Sequence, residues 1–133
     1  MDISFVLAVY NRLELTKECY KHLRNVYPEA PLVISSGGSN DGTLEWLKSL
    51  DDVNLSFIHD DDRITFSDNY NAGIKLVDTE KLVLIHNDMV IGEGFLESLE
   101  RLLKPNMLLS YEILVHNLLV YPLSSDLHIH HHR

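Results

Sequence analysis

Carboxylates and imidazoles that follow apolar runs are the side chains of this sequence best suited to chemistry. Four polar segments each come directly after a β-favouring apolar run: Tyr10-Asn11-Arg12, Ser35-Ser36-Gly37-Gly38-Ser39-Asn40-Asp41-Gly42-Thr43, His59-Asp60-Asp61-Asp62-Arg63 and His86-Asn87-Asp88-Met89. Hard divalent cations prefer carboxylate oxygens carried on a rigid element. Asp88 stands just past the run Lys81-Leu82-Val83-Leu84-Ile85 and is the leading candidate for a metal ligand. The plainer alternative is an Asp that caps the helix expected near residue 94, or a solvated turn residue. Asp41-Gly42-Thr43 likewise reads either as ligand-facing loop or as a cap whose Gly accepts unusual backbone angles. Asp60-Asp61-Asp62 has the pattern of a solvated loop, with Arg63 beside it as a cation able to approach phosphate. Tyr10 either stacks on a base or packs.

The elements that must carry these segments follow from periodicity. Ile3-Ser4-Phe5-Val6-Leu7-Ala8-Val9 reads as a buried strand. Leu15, Cys19, Leu23 and Val26 then share one helix face, closed off by Pro28 and Pro31. Leu32-Val33-Ile34 is a second strand, with a Gly-rich turn from Ser35 to Asp41 and a helix through Leu44, Leu47 and Leu50. A third strand runs from Val53 to Ile58, a helix from about Ser67 to Val77, and a fourth strand from Lys81 to Ile85. Phe95, Leu96, Leu99, Leu102 and Leu103 form the apolar stripe of a helix ending before Pro105. Beyond it, Leu108 to Val115 reads as a fifth strand, and Leu118 to Leu123 as a sixth or as an unpaired tail. Strands alternating with helices imply an α/β fold with a mostly parallel sheet. Ligands of such sheets bind beyond the carboxyl ends of the strands, where strand order reverses; the four polar segments occupy those ends.

The totals exclude several classes. The 133 residues, 45% hydrophobic, suffice for one core. Eleven Lys and Arg against twenty Asp and Glu give a net charge of −9, which opposes nucleic-acid binding. A single diphosphate can still be held if a cation or backbone N–H groups neutralise it. The one cysteine, Cys19, forms no internal disulfide, and neither a basic leader nor a cleavage pattern marks the start; a reduced, cytoplasmic compartment is expected. Met107 to Leu123 is the most apolar stretch, but Ser110, Glu112, His116 and Asn117 make it a core segment or membrane-peripheral surface rather than a bilayer span. The histidines of His128-Ile129-His130-His131-His132-Arg133 read as an irregular chain end before they read as a metal site.

Four segments, in order, resemble family 2 glycosyltransferases of the GT-A fold, a Rossmann-like nucleotide-diphospho-sugar transferase architecture. They are the opening strand with its Val9-Tyr10-Asn11-Arg12 ending, the turn Gly38-Ser39-Asn40-Asp41-Gly42-Thr43, the segment Asn69-Tyr70-Asn71-Ala72-Gly73-Ile74, and His86-Asn87-Asp88 followed by Gly94-Phe95-Leu96-Glu97. The last resembles the family's D-x-D metal motif. The resemblance runs from residue 3 to about residue 104 and implies an N-terminal, nucleotide-binding half, with 105–133 as residual strands and tail of the same domain. It implies transfer of a sugar from a UDP-, GDP- or dTDP-linked donor to a saccharide or lipid-linked hydroxyl acceptor, with inversion. It further implies a divalent cation, Mg2+ or Mn2+, on Asp88 with His86, and nucleotide contacts from Val9, Tyr10, Asn11, Ser36, Asp41, Asn71 and Asn87.

The sequence departs from that pattern at two points of chemistry. Ser36 and Gly37 stand where the family usually has the Asp that recognises the base, leaving a Ser hydroxyl to donate or accept. His86 replaces the first carboxylate of D-x-D, so one Asp, phosphate oxygens and water must complete the shell. After Lys104 only Glu112 and Asp126 are carboxylates, and neither lies in a motif that identifies a catalytic base. Two other readings therefore stand beside the transferase: a truncated nucleotide-sugar-binding module without turnover, and an interaction subunit, homo-oligomeric or bound to another chain, that keeps only the fold.

Overall fold

The computed structural model describes residues 2–102, together with the backbone of short strands at 107–109, 111–114, 119–122 and 129–131. Two compact units divide the chain, Met1–Asp88 and Met89–Arg133.

The first unit is a parallel four-stranded sheet with helical crossovers. In chain order it contains β1 (Ile3–Val9), α1 (Leu13–Val26), β2 (Leu32–Gly37), α2 (Thr43–Ser49), β3 (Leu55–Asp60), α3 (Phe66–Ile74) and β4 (Lys81–Ile85). The strand order is β3-β2-β1-β4, and β1 pairs in parallel with both β2 and β4. The first crossovers carry the chain outward to β3, and the third returns it across β1 to β4. This reversal of strand order falls at β1, and the carboxyl ends of strands beside such a reversal are where ligands of open α/β sheets bind. Neighbouring side chains of a strand point to opposite faces, which separates the two helical layers. Phe5 meets Tyr27, at the end of α1, with ring centroids 5.9 Å apart. Val6 instead packs with Val33 and Tyr70 of α3, flanked by Ala8, Ile74, Val77 and Leu82.

The sequence-based boundaries differ where polar residues are buried. β2 continues through Ser35, Ser36 and Gly37, all buried, where a turn was expected from Ser35. The buried positions of α1 are Thr16, Cys19 and Leu23, while Leu15 is exposed. Thr16 is accommodated because its hydroxyl bonds the Arg12 carbonyl at 3.4 Å. β3 starts at Leu55, leaving Val53 94% exposed; as an edge strand it alternates half-buried and exposed side chains. α3 begins at Phe66 with the Thr65 hydroxyl accepting from the Asp68 N–H.

At the amino end of the sheet a charged pair pins α1 to the connection before β3. Arg24 Nε lies 2.8 Å from Asp52 Oδ2, both side chains being nearly buried. Arg24 also donates to the carbonyls of Tyr27, Ala30 and Asn54, and Tyr20 Oη donates to Asp52 at 2.7 Å.

The second unit holds α4 (Phe95–Leu102), with Phe95, Leu96 and Leu99 buried. Next come β5 (Met107–Leu109), β6 (Tyr111–Leu114), β7 (Leu119–Pro122) and β8 (Ile129–His131). β5 pairs antiparallel with β8, and β6 with β7; the expected fifth and sixth strands thus form small antiparallel ladders rather than extending the parallel sheet. Leu103, expected on the helix stripe, lies outside the described residues, as do Asp126, His128, His132 and Arg133. Among the described residues no helix is long and apolar enough to cross a membrane.

Candidate functional site

The loop after β1 makes a tight left-handed turn. Asn11 and Arg12 have φ of 54° and 56°, a conformation disfavoured outside Gly but tolerated by Asn. It is held from the loop after β2: the Asn11 N–H donates to Ser39 Oγ at 2.8 Å, and Asn11 Oδ1 accepts from the Asn40 N–H at 2.8 Å. Asp41 completes the lacing. Its Oδ2 accepts from the Leu13 N–H at 2.9 Å, the first free donor of α1. Its Oδ1 accepts from Thr43 Oγ1 at 2.6 Å and from the Thr43 N–H at 3.3 Å, at the start of α2. Partial burial raises the Asp41 carboxyl, but these hydrogen bonds outweigh it and hold the group below the usual carboxylate value. Asp41 is thus engaged with two helix N-termini, and Asn11 with the neighbouring loop.

Beneath these loops Asn69 bridges the strands. Buried in α3, it donates from Nδ2 to the Val9 carbonyl at 3.0 Å and accepts at Oδ1 from Ser35 Oγ at 2.7 Å. Gly37 leaves room for it: a Cβ there would stand 2.8 Å from the Asn69 side chain. At Gly38, φ is +88° and a Cβ would come within 2.4 Å of the Arg63 backbone nitrogen, so the β3–α3 loop lies directly against this glycine. Ser36 Oγ is 3.0 Å from His59 Nδ1. Arg63 spreads its guanidinium over the Tyr10 ring, 4.2 Å from the centroid, while Tyr10 remains 38% exposed. Asp60, Asp61 and Asp62 are exposed, and Asp60 Oδ1 accepts from the Asp62 N–H at 2.9 Å in a local turn.

The loop after β4 is fixed from both helical layers. From α1, the Cys19 thiol contacts the His86 carbonyl at 3.6 Å and Thr16 Oγ1 accepts from Asn87 Nδ2 at 3.3 Å. From α3, Tyr70 Oη donates to the Ile85 carbonyl and lies 3.2 Å from His86 Nδ1. Phe66, 66% exposed, stacks on the His86 ring with centroids 5.9 Å apart and an interplanar angle of 29°. Asp88 is exposed beyond these ties. Burial pushes the Cys19 thiol up to about 12, and the Asp88 charge adds to the shift. Burial likewise pushes Tyr70 up to about 12; the Ala8 N–H opposes the rise, while Cys19 and Asp88 add to it. The Asp88 carboxylate is therefore within electrostatic reach of both groups, although it points to solvent.

Among the candidates named from the sequence, Tyr10, Asn11, Asp41, His86, Asn87 and Asp88 all sit at the carboxyl ends of the strands. Ser36 and the Val9 carbonyl lie deeper, taken up by His59 and Asn69. Asn71 is exposed on α3. Asn69, Ser39, Tyr70 and Phe66 join the site beyond the candidates that the sequence singles out. A helical reading of α3 held the signal for two of them: Tyr70, Gly73, Ile74 and Val77 define its inner face, and Asn69 falls on that face. No group of three or more His, Cys, Asp or Glu side chains able to hold a metal occurs among the described residues. A cation here would take at most two side chains, with other positions left to phosphate and water, as Mg2+ and similar ions accept at nucleotide sites.

Polar loops and a strand-end Asp beside the reversal of strand order occupy the position at which open α/β sheets bind their ligands. The family model described as glycosyl transferase family 2 matches residues 4–118, and the chain belongs to that family. Among solved structures it is similar to a mannosyltransferase from Pyrobaculum calidifontis in complex with GDP-Man and Mn2+, with TM-score 0.68, 19% identity and 79% of this chain covered. That likeness shows the GT-A fold. The chain spans 33% of that protein's length. No curated protein matches the sequence.

Proposed function

We propose that this chain binds a nucleoside-diphosphate sugar at the carboxyl ends of β1, β2 and β4 and serves transfer of the sugar to a hydroxyl acceptor. The observation that carries this reading is the His86-Asn87-Asp88 segment. Three side chains from two helices hold it, and it presents an exposed carboxylate beside the strand-order reversal. A divalent cation, Mg2+ or Mn2+, fits Asp88 with His86; when bound, it neutralises charge that builds on the diphosphate as the sugar departs. Tyr10 and Asn11 border the nucleoside, and Arg63, held on Tyr10, keeps a positive charge at the rim. Val9, Ser36 and Asp41 act through loop position, and Asn87 by tying the loop to α1. Asn71, exposed on α3, takes a place at the outer edge of the site.

The donor is a UDP-, GDP- or dTDP-sugar, and the acceptor a saccharide or lipid-linked hydroxyl, reached from the cytoplasm or the membrane periphery. The lone, protonated Cys19 thiol fits a reducing compartment. Inversion at the anomeric carbon follows the family; no described residue is assigned as base. The test is to incubate UDP-, GDP- and dTDP-hexoses with Mn2+ and follow free nucleoside diphosphate and the anomer of the sugar released or transferred. Turnover that disappears in Asp88→Ala supports the transferase; retention of configuration would refute inversion. A second reading, nucleotide-sugar binding without turnover, is favoured by the Ser36 to His59 bond at the base-recognition position. It predicts tight nucleotide binding with no release of sugar.

A further inference from the structure

Among the described residues Phe66 is the most exposed aromatic side chain, at 66%. A lone exposed ring is ordinary, but this one is fixed. Phe66 is the first residue of α3, and the Thr65 cap accepts from the Asp68 N–H at 3.1 Å. Its ring stacks on His86 and meets the Tyr70 ring at 4.8 Å between centroids, tilted by 56°. Tyr70 is itself buried and donates to the Ile85 carbonyl. One side of the Phe66 ring is thus anchored and the rest faces solvent, against the segment whose exposed Asp88 follows His86 by two residues. An aromatic face carries negative quadrupole charge, and the C–H bonds on one side of a pyranose present weakly positive hydrogens to such a face. A hexose laid on the ring buries that apolar side and keeps its hydroxyls outward. Ser67 and Asp68, exposed in the same turn, add acceptors and one hydroxyl donor for them.

We infer that the open face of Phe66 is the platform on which the hexose ring of the donor lies, with His86 and Tyr70 as the positioning residues that hold it. This rests on the nucleotide-sugar reading above and deepens it by assigning the sugar a place. In that reading the nucleoside borders Tyr10 and Asn11 and the diphosphate meets Asp88. The hexose is bonded directly to the diphosphate, so it is the part of the donor that falls beside the Asp88 segment. A lipid tail would need a wider apolar surface than one ring set among carboxylates.

The experiment is isothermal titration, with Mn2+ present, of UDP against UDP-glucose, GDP against GDP-mannose and dTDP against dTDP-glucose into the full chain and its Phe66 variants. The quantity read is the dissociation constant of the nucleotide sugar divided by that of its nucleoside diphosphate. Phe66→Ala is expected to raise this ratio roughly 2–12-fold, the size of one aromatic contact, and Phe66→Tyr to keep it near wild type. A ring that only steadied the loop would weaken both ligands alike and leave the ratio unmoved. Thermal midpoints report folding; should Phe66→Ala not fold, Phe66→Leu, which keeps apolar bulk without an aromatic face, carries the same expectation. A ratio unchanged in the variant, or a wild type that binds a nucleoside diphosphate and refuses all three sugar conjugates, overturns the inference and leaves the nucleotide site standing. If none of the three nucleoside diphosphates binds the wild type, both fall together.

Discussion

Asn69 ties α3 to two adjacent strands of the sheet, donating to the Val9 carbonyl of β1 and accepting from the Ser35 hydroxyl of β2. Removing its amide leaves buried groups short of partners, each costing roughly 1–3 kcal/mol. Asn69→Ala should therefore lower stability by about 2 kcal/mol in urea unfolding, while Asn71→Ala, on the exposed face, should stay within about 0.5 kcal/mol. Equal effects would contradict the assignment of the two asparagines. Sequence motif alone did not separate them, because the partners of Asn69 are strands far away in the chain. The same limit applies to Thr16: apolar spacing selects Leu15 for the core, but the hydroxyl of Thr16 is satisfied by Arg12 and Asn87 and takes the buried place. Asp88 was legible because an Asp directly after an apolar β-run needs no tertiary knowledge to be placed at a strand end. What surrounds it, Tyr70, Phe66 and Cys19, arrives from two other elements: the inner faces that carry Tyr70 and Cys19 follow from helical spacing, but their meeting at this loop is a tertiary contact with no local signal.

The elements themselves were largely readable where burial follows hydrophobicity. β1 and β4 appear with the bounds their apolar runs predict, and both helices flanking β2 lie where leucine spacing puts them. β2 was read short because Ser35, Ser36 and Gly37 look like turn residues; they stay extended since Asn69 and His59 satisfy the hydroxyls. The true turn falls at Gly38, whose φ and lack of a side chain let the β3–α3 loop approach. Gly38→Ala would drive a methyl into the Arg63 backbone in a backbone conformation that L-residues avoid. We expect a loss of about 1–3 kcal/mol and, as the loop is displaced, weaker nucleoside diphosphate binding than in a Gly94→Ala control, where no atom lies within 4 Å of the added Cβ. Full nucleotide binding and a native thermal midpoint in Gly38→Ala would show that the close approach has no role.

At the scale of the whole molecule, acid stability should track two structural carboxylates. For Asp52, burial raises the carboxyl, but hydrogen bonds from Tyr20, Arg24 and the Asn54 N–H, with the Arg24 charge, carry it below its ordinary value of 3.8. Asp41 is shifted the same way. A depressed carboxyl stabilises the fold above its unfolded pKa, and that contribution is lost as pH falls through 3.8 toward the folded values. Tyr20 is shifted upward by burial and then by Asp52, against the pull of Arg24, so its contribution is present below its ordinary value of 10.0 and fades as pH rises through the folded value. Thermal midpoints should fall at both extremes, with a shallower acid limb in Asp52→Asn; an unchanged acid limb would deny Asp52 this role. The net charge of −9 sets the other whole-molecule condition, since a diphosphate approaching so acidic a chain needs local neutralisation, which the proposed cation at Asp88 would supply.

Isothermal titration of UDP, GDP and dTDP into the chain, with and without Mn2+, and into Asp88→Ala, measures that condition at its centre. At least one nucleoside diphosphate should bind only when Mn2+ is present, and Asp88→Ala should weaken it about tenfold or more, the loss of roughly 1.4 kcal/mol or above, with the fold intact. Binding that ignores Mn2+ and survives Asp88→Ala, or no binding by any of the three, would contradict the donor site at the end of β4.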